Sequence, residues 1–365
     1  MFFKRLFILF FLLVTIQHLA IAEGSTDSLT RIMKKVYNWQ WNDLQDNGWK
    51  RERTDWTYGV MLAGMTDWAH FSHEHKYIDN LVAVGNATNW RLGPRRSFAD
   101  DYCVGQTYAL LYPAYKNPRF ITDFRKMADS LVLAPHSESL LWVNNIHLRQ
   151  WAWCDALFMG PASLGYLSKA TGDKRYLDLA IRLWWKTTGY LYDKNEKLFY
   201  RDSRYFDKRE KNGRKVFWSR GNGWVLAGMT RLLESMPEND VQRAQFIKLF
   251  REMAASVAAL QQPDGSWHAS LLDPKSYPSK ETSGTGLFCY AFAWGINHNI
   301  LSRKEYLPVV NKAWAVLTSS VHADGKLGYV QPVGAAPDIV TADDTDVYGV
   351  GAFLMAGVQM VHITK

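Results

Sequence analysis

Segments in which apolar residues return every three or four positions follow one another along nearly the whole chain, with short polar or glycine-containing breaks between them and no Pro/Ser-rich linker. The spacing predicts twelve helices, over about 27–39, 55–74, 76–86, 101–115, 119–133, 150–170, 173–189, 220–235, 239–262, 282–298, 303–319 and 343–362. The clearest carries Phe246, Leu249, Phe250, Met253, Val257 and Leu260 at helical spacing and stops at Gln261-Gln262-Pro263-Asp264-Gly265. Strand signals are confined to Leu198–Phe206 and Val216–Trp218, which predict one small β-hairpin. Six helix pairs of about 57 residues, without the close self-similarity of a solenoid, make one mostly α domain.

Several predicted helices begin with small residues packed around glycine, as in Gly59-Val60-Met61-Leu62-Ala63-Gly64 and Gly349-Val350-Gly351-Ala352-Phe353-Leu354. Glycine costs about 1 kcal/mol in a helix interior relative to alanine, so its repetition indicates helices that approach closely. A helical barrel with an inner layer would require this; on pattern alone an ordinary helical bundle remains open.

Residues 1–22 combine a basic start (Lys4, Arg5), an apolar run from Leu6 to Ile16 and the small-residue end Ala20-Ile21-Ala22. That is the pattern of a cleaved secretory signal, leaving 23–365 as the mature domain in the periplasm or outside the cell. No second apolar stretch of membrane-spanning length follows, so no membrane association is expected after cleavage. Cleavage lowers the net charge from +8 to +6. Lys and Arg are scattered among acids, which argues against nucleic acid and suits a small acidic molecule or glycan. Cys103, Cys154 and Cys289, odd in number and widely spaced, build neither a disulfide framework nor a zinc site.

The chain lacks a G-x-S-x-G elbow, a phosphate loop and an H-E-x-x-H pair, which excludes the serine hydrolases, P-loop NTPases and zincins that carry them. His70, His73 and His75 cluster around Glu74, and His70 with His73 could share a helix face as metal ligands, but the group reads more simply as a polar helix end followed by a turn. More informative are aromatic residues interleaved with a few acids near the helix starts, among them Trp56, Trp151, Trp153, Trp218 and Trp224. Indole faces stack on sugar C–H surfaces, and they also fill cores. Asp155, within Trp151-Ala152-Trp153-Cys154-Asp155-Ala156-Leu157-Phe158-Met159-Gly160, would lose hydration there and hold a proton near neutral pH. Asp100 and Asp101 precede Tyr102-Cys103-Val104-Gly105-Gln106, where an N-cap role competes with a chemical one. Phe217-Trp218-Ser219-Arg220-Gly221-Asn222-Gly223-Trp224 sets a cation between two indoles; Arg220 could pair with a substrate carboxylate or a neighbouring acid.

At these residues the sequence resembles family 105 of the glycoside hydrolases, the unsaturated rhamnogalacturonyl hydrolases, and more distantly the unsaturated glucuronyl hydrolases of family 88. The most specific pieces are Asp55-Trp56-Thr57-Tyr58-Gly59, Asp101–Tyr108, Trp153–Gly160, Trp218–Trp224, Lys280-Glu281-Thr282-Ser283-Gly284 and Val347–Phe353. The resemblance implies an (α/α)6 barrel with its active site at one end and no metal or organic cofactor. It also implies a substrate bearing a 4,5-unsaturated uronic acid at the non-reducing end of a lyase product, hydrated at the C4–C5 bond. Asp155 matches the family's general acid/base and Asp101 its second aspartate, on an Asp-x-x-x-Gly spacing to Gly105 that leaves adjacent Asp100 open. Trp56, Tyr58, Trp153, Trp218, Arg220 and Trp224 match substrate-binding positions. Some rhamnogalacturonyl members place a His where this chain has Tyr200-Arg201-Asp202-Ser203-Arg204, so the uronate and the leaving sugar stay open. An unsaturated glucuronyl hydrolase on another acidic glycan, a conventional inverting glycosidase and a non-catalytic glycan-binding protein are the alternatives, and a monomer is expected.

Overall fold

The computed structural model describes residues 26–364; the signal segment lies outside them. Twelve α-helices run through the described residues: α1 (26–46), α2 (Trp56–Ser72), α3 (His75–Ala87), α4 (Gly105–Tyr115), α5 (Thr122–Val132), α6 (Ala156–Thr171), α7 (Lys174–Leu191), α8 (Ser219–Ser235), α9 (Arg243–Ala259), α10 (Thr282–Asn297), α11 (Arg303–Ser319) and α12 (Val347–Thr364). The even-numbered helices pack in the closed order α2–α4–α6–α8–α10–α12–α2, and the odd-numbered ones lie outside them. This is the (α/α)6 barrel.

Composition sorts the layers. Helices α6, α10 and α12 are buried on nearly every face, so they carry little amphipathic contrast, whereas α5 and α7 bury one stripe and expose the other. Helix α12 is long and apolar enough to cross a membrane by composition, yet it is a ring member enclosed by its neighbours. Ring closure depends on glycine where α2 meets α12: a Cβ on Gly64 would stand 2.2 Å from the Gly351 carbonyl oxygen, and one on Gly351 would stand 2.3 Å from that of Val60. The close approach inferred from repeated glycine is therefore real at this crossing.

Two expectations shift. Helix α1 continues to residue 46 beyond the predicted end near 39, because Gln40 and Leu44 still face inward. The predicted pairing of Leu198–Phe206 with Val216–Trp218 does not form. Strand β2 (Leu198–Phe199) pairs instead with β1 (Tyr192–Asp193), and Trp218 bridges to Ser270 near the second hairpin, β3 (Trp267–His268) with β4 (Lys280–Glu281). The reason is local: the Asn222 side chain takes both the amide (2.7 Å) and the carbonyl (3.1 Å) of Phe199, occupying the edge that Val216–Trp218 would have needed. Cys103, Cys154 and Cys289 are buried and free.

Candidate active site

The sequence-predicted residues cluster at the N-terminal ends of inner helices, which share one end of the barrel. Trp56 opens α2, Asp155 immediately precedes α6, Trp218 caps α8 and Tyr348 begins α12. Trp56 stacks on Tyr348 with centroids 5.3 Å apart and meets Trp224 edge-on at 6.1 Å, which ties three ring members together at this mouth. Helix N-termini carry partial positive charge, so an end that gathers several of them favours an anionic guest.

Asp155 behaves as its neighbours predict. It makes no capping hydrogen bond, so an N-cap role is excluded. Burial pushes its carboxyl above the ordinary aspartate range, while the Arg201 guanidinium pulls it back, with Arg201 Nε 3.5 Å from Oδ2. The Cys154 thiol donates to the same oxygen at 3.4 Å. The loop before α6 is fixed from outside by the Cys154 amide, which donates to the Arg201 carbonyl at 2.8 Å.

Of the two adjacent aspartates, Asp100 is the one whose carboxyl feels the charge of Asp155, whereas Asp101 is paired with Arg95. Asp101 is spent: its carboxylate accepts from the Arg95 backbone amide (2.6 Å), Nε (3.0 Å) and Nη2 (2.6 Å). Asp100 has a half-buried side chain whose Oδ1 is shielded from water and has no hydrogen-bond partner. Burial first, and then the neighbouring charge of Asp155, hold its carboxyl well above the usual range. Residues 99–102 form a 3-10 turn of about three residues per revolution, so adjacent side chains point roughly 120° apart and one residue of register decides which faces the site.

The expected sugar-binding side chains divide. Trp56 is partly exposed at the mouth. Tyr58 belongs to the core, where its hydroxyl accepts from the Lys50 amide at 2.8 Å and its ring lies 4.6 Å from Trp49. Trp153, Trp218 and Trp224 are also buried and form the wall behind the mouth. Trp153 stacks on Phe98 at 5.4 Å, and Trp218 donates to Gln331 Oε1 at 3.0 Å. Arg220 forms no ion pair with a neighbouring acid among the described residues. Its side chain is 0% exposed, and Nη1 and Nη2 donate to the carbonyls of Gln331 (2.6 Å) and Pro332 (2.9 Å) while the guanidinium lies over Trp218 and Tyr348. Tyr348 also donates to the Gln331 carbonyl, and Glu281 accepts from the Gln331 amide at 3.1 Å and caps α10 through Ser283 and Gly284. Arg220 and Glu281 thus hold the 331–332 loop against the wall.

Sequence reasoning missed Arg201 as a neighbour of Asp155, and it missed Trp142, over whose ring Arg201 and Arg204 lie at 4.9 and 4.2 Å. The Tyr200–Arg204 departure was visible as a departure, but nothing local marks it as lying beside residue 155. His73 ends α2 in a left-handed conformation and Glu74 pairs with Lys34 and Lys76, so this group is the polar helix end that the sequence indicates.

A closed ring of helix pairs gathers buried carboxyls and indoles at one mouth, an arrangement that suits an acidic sugar. The chain matches the profile of Glycosyl Hydrolase Family 88 over residues 27–364, and it belongs to that family. It is 36% identical over 331 residues to an unsaturated 3S-rhamnoglycuronyl hydrolase of Formosa agariphila, covering 86% of this chain and 85% of the relative. The solved structure of a family 88 glycosyl hydrolase from Bacteroides vulgatus superposes with TM-score 0.81 at 31% identity, over 92% of this chain and 99% of that one. A possible family 105 member from Salmonella enterica shares the fold (TM-score 0.74, 20% identity, 92% and 94% covered). The chain is a glycoside hydrolase of the unsaturated uronyl hydrolase type.

Proposed function

We propose that the chain removes a 4,5-unsaturated uronic acid from the non-reducing end of lyase-generated oligosaccharides in which the next sugar is a rhamnose, by hydrating the C4–C5 double bond. The single observation that carries this reading is the pair Asp155 and Asp100, both held toward the protonated form by burial at the aromatic mouth. Asp155, protonated, gives its proton to C4; as a carboxylate it then takes one from the water that adds at C5. Asp100 orients that water. The C5 hemiketal so formed opens by breaking its bond to the ring oxygen, leaving a C5 ketone and a C1 hemiacetal, which collapses to an aldehyde and frees the rest of the glycan as an alcohol. No covalent bond to the enzyme is needed, which suits a site where Cys154 is the neighbouring thiol and burial keeps it protonated.

The rhamnose assignment is supported by the likeness to the Formosa relative. The basic, apolar and small-residue pattern of residues 1–22 supports export of the mature chain, and we infer that it acts as a monomer in the periplasm or beyond.

Ultraviolet absorbance of the conjugated unsaturated acid tests the reaction directly, using unsaturated galacturonyl-rhamnose and glucuronyl-rhamnose side by side. The signal falls on the true substrate as the double bond is consumed. Asp155→Asn keeps the shape and removes the proton donor, costing roughly 10²-fold or more in rate. A flat signal on every unsaturated disaccharide with turnover of a saturated glycoside would replace hydration by ordinary hydrolysis, and an Asp155→Asn rate within a few-fold of wild type would overturn the role of that residue.

A further inference from the structure

Beside the mouth lies a second concavity that the reaction does not use. It is a groove of about 750 Å³ between the loop joining α1 to α2 and the turn that follows α3, and its walls include Trp49, Arg51, Glu52, Arg53, Arg91 and Leu92. Pockets of that size take small ligands. Arg51 ties one edge to the mouth: Nη1 reaches Thr57 Oγ1 on the first turn of α2 at 3.5 Å, and Nη1 and Nη2 meet the Asp346 carboxylate, just before α12, at 3.4 and 3.3 Å. At the other edge Leu92 leads to Gly93, whose amide donates to the Asp101 carbonyl at 3.1 Å and where a Cβ would stand 2.3 Å from the Asp101 side chain. The groove therefore adjoins the starts of α2 and α12 on one side and the Asp101–Arg95 pair, next to Asp100, on the other.

Two observations separate this groove from a solvated basic face. Its walls carry three arginines against one acid, Glu52, and of the three only Arg51 is neutralised by an ion pair. Among the described residues the guanidiniums of Arg53 and Arg91 have no hydrogen bond or ion pair to protein, and that of Arg53 lies over the Trp49 ring at 5.0 Å. In addition, Arg91 is delivered by a constrained turn. Asn89 and Trp90 are both left-handed, with φ of 53° and 58°, a conformation that a bulky side chain adopts only when its surroundings impose it. Trp90 is fully buried, stacks on Phe120 with centroids 3.5 Å apart and donates from Nε1 to Asn86 at 3.1 Å, while Asp123 takes the Leu92 amide at 3.0 Å. The packing behind the turn thus fixes the stem from which Arg91 reaches the groove.

Uncompensated guanidiniums at a concavity take an anion, and a free planar fork matches the two oxygens of a carboxylate. The chemistry of the substrate says which carboxylate. A lyase turns the uronate at each cut into the unsaturated end, so in a polymer that alternates uronate and rhamnose a missed cut leaves an intact uronate as the third sugar of the product. Resting on the hydrolase reading above, we infer that Arg53, Arg91 and Trp49 form a distal subsite for the uronate at the third position of a longer lyase product, while the unsaturated end lies over Asp155. The reaction at the mouth is unchanged; the groove selects chain length, so tetrasaccharides with a uronate in third place are used ahead of shorter products.

The test compares kcat/KM, followed by loss of ultraviolet absorbance, for two unsaturated tetrasaccharides that differ only in the third sugar, a uronate in one and a neutral pyranose in the other. Every other charge is common to both, so a preference reads the third-sugar carboxylate alone. Wild type favours the uronate form roughly 10-fold, chiefly through KM, the size expected for one charge-assisted contact, and Arg91→Gln brings the ratio close to one. Arg91→Lys, which keeps the charge but loses the fork, falls between the two. Arg53→Gln lowers the ratio in the same direction and gives the reading if the Arg91 variants do not fold. Equal use of both tetrasaccharides by wild type, or a ratio that Arg91→Gln and Arg53→Gln leave unchanged in folded protein, overturns the subsite while leaving the hydrolase reading intact. Failure of wild type to bleach any unsaturated substrate, the disaccharide included, overturns the hydrolase reading and the subsite with it.

Discussion

The assignment of Asp100 rather than Asp101 to the site makes two adjacent conservative substitutions behave in opposite ways. Asp101→Asn removes a charge that binds three Arg95 donors at 2.6, 3.0 and 2.6 Å. A hydrogen bond to a charged group contributes about 1.5–3 kcal/mol. The asparagine oxygen retains one acceptor and Arg95 is half exposed, so the net cost is about 1.5–3 kcal/mol for the whole arrangement rather than for each bond. That lowers Tm by several degrees and leaves the reacting carboxyls in place. Asp100→Asn replaces a carboxyl that already favours its neutral form and whose Oδ1 bonds to nothing, so stability is unchanged or slightly higher. Activity, however, falls roughly 10²-fold or more, because an amide, with an NH2 donor in place of one carboxyl oxygen, cannot give the attacking water the hydrogen bonds that orient it. Thermal melts and the ultraviolet assay on both variants decide the matter. An Asp101→Asn protein with wild-type Tm and lost activity, beside an active Asp100→Asn protein, would refute the reasoning.

Three further outcomes are expected. Arg201→Gln removes the cation that holds the Asp155 carboxyl down, so Asp155 keeps its proton to higher pH and the alkaline limb of kcat/KM moves upward; a limb that stays or moves down in the pH profile refutes this. Arg231→Met, deep in the ring, strips Asp67 (2.8 Å) and Gln106 (2.6 Å) of their partner and costs about 3 kcal/mol by urea denaturation, the low end for a broken buried pair because Asp67 retains some access to water. Gly64→Ala places a methyl 2.2 Å from a backbone carbonyl of α12, and the overpacking, about 3 kcal/mol, exceeds the gain of about 1 kcal/mol in helix propensity; a Tm equal to or above wild type would show that the α2–α12 crossing yields easily.

The helices were legible in the sequence because their breaks are chemical: Gly172-Asp173 between α6 and α7, and the Gln261–Gly265 turn after α9. Inner helices were harder to bound, since a helix buried on all sides loses its period, and the 101–104 and 150–155 stretches therefore read as continuous with the helices that follow. Asp155 was legible from its apolar neighbours alone, because desolvation is a local property. The Asp100 register was not, because a 3-10 turn differs from the first turn of an α-helix only in a rotation that sequence spacing does not record. The partners of Arg220 were not legible for a related reason: the Gln331 and Pro332 carbonyls lie more than a hundred residues away and belong to a loop without a side-chain signature.

The position of Arg220 changes what the paired indoles of the α8 segment accomplish. A guanidinium without exposed surface, bonded to two carbonyls and faced by Trp218 and Tyr348, is anchored by the protein itself. It nevertheless contributes a positive charge that Asp155 feels, second in kind to that of Arg201. The site therefore opposes two effects on one carboxyl: burial favours the protonated acid needed to attack C4, and two cations favour the carboxylate needed to activate water at C5. A group poised between these forms can act in both halves of a hydration, whereas burial alone would leave a good acid and a poor base. Arg201, with 14% of its side chain exposed, is the member of the pair that a bound substrate can touch, so binding and proton balance meet at one residue.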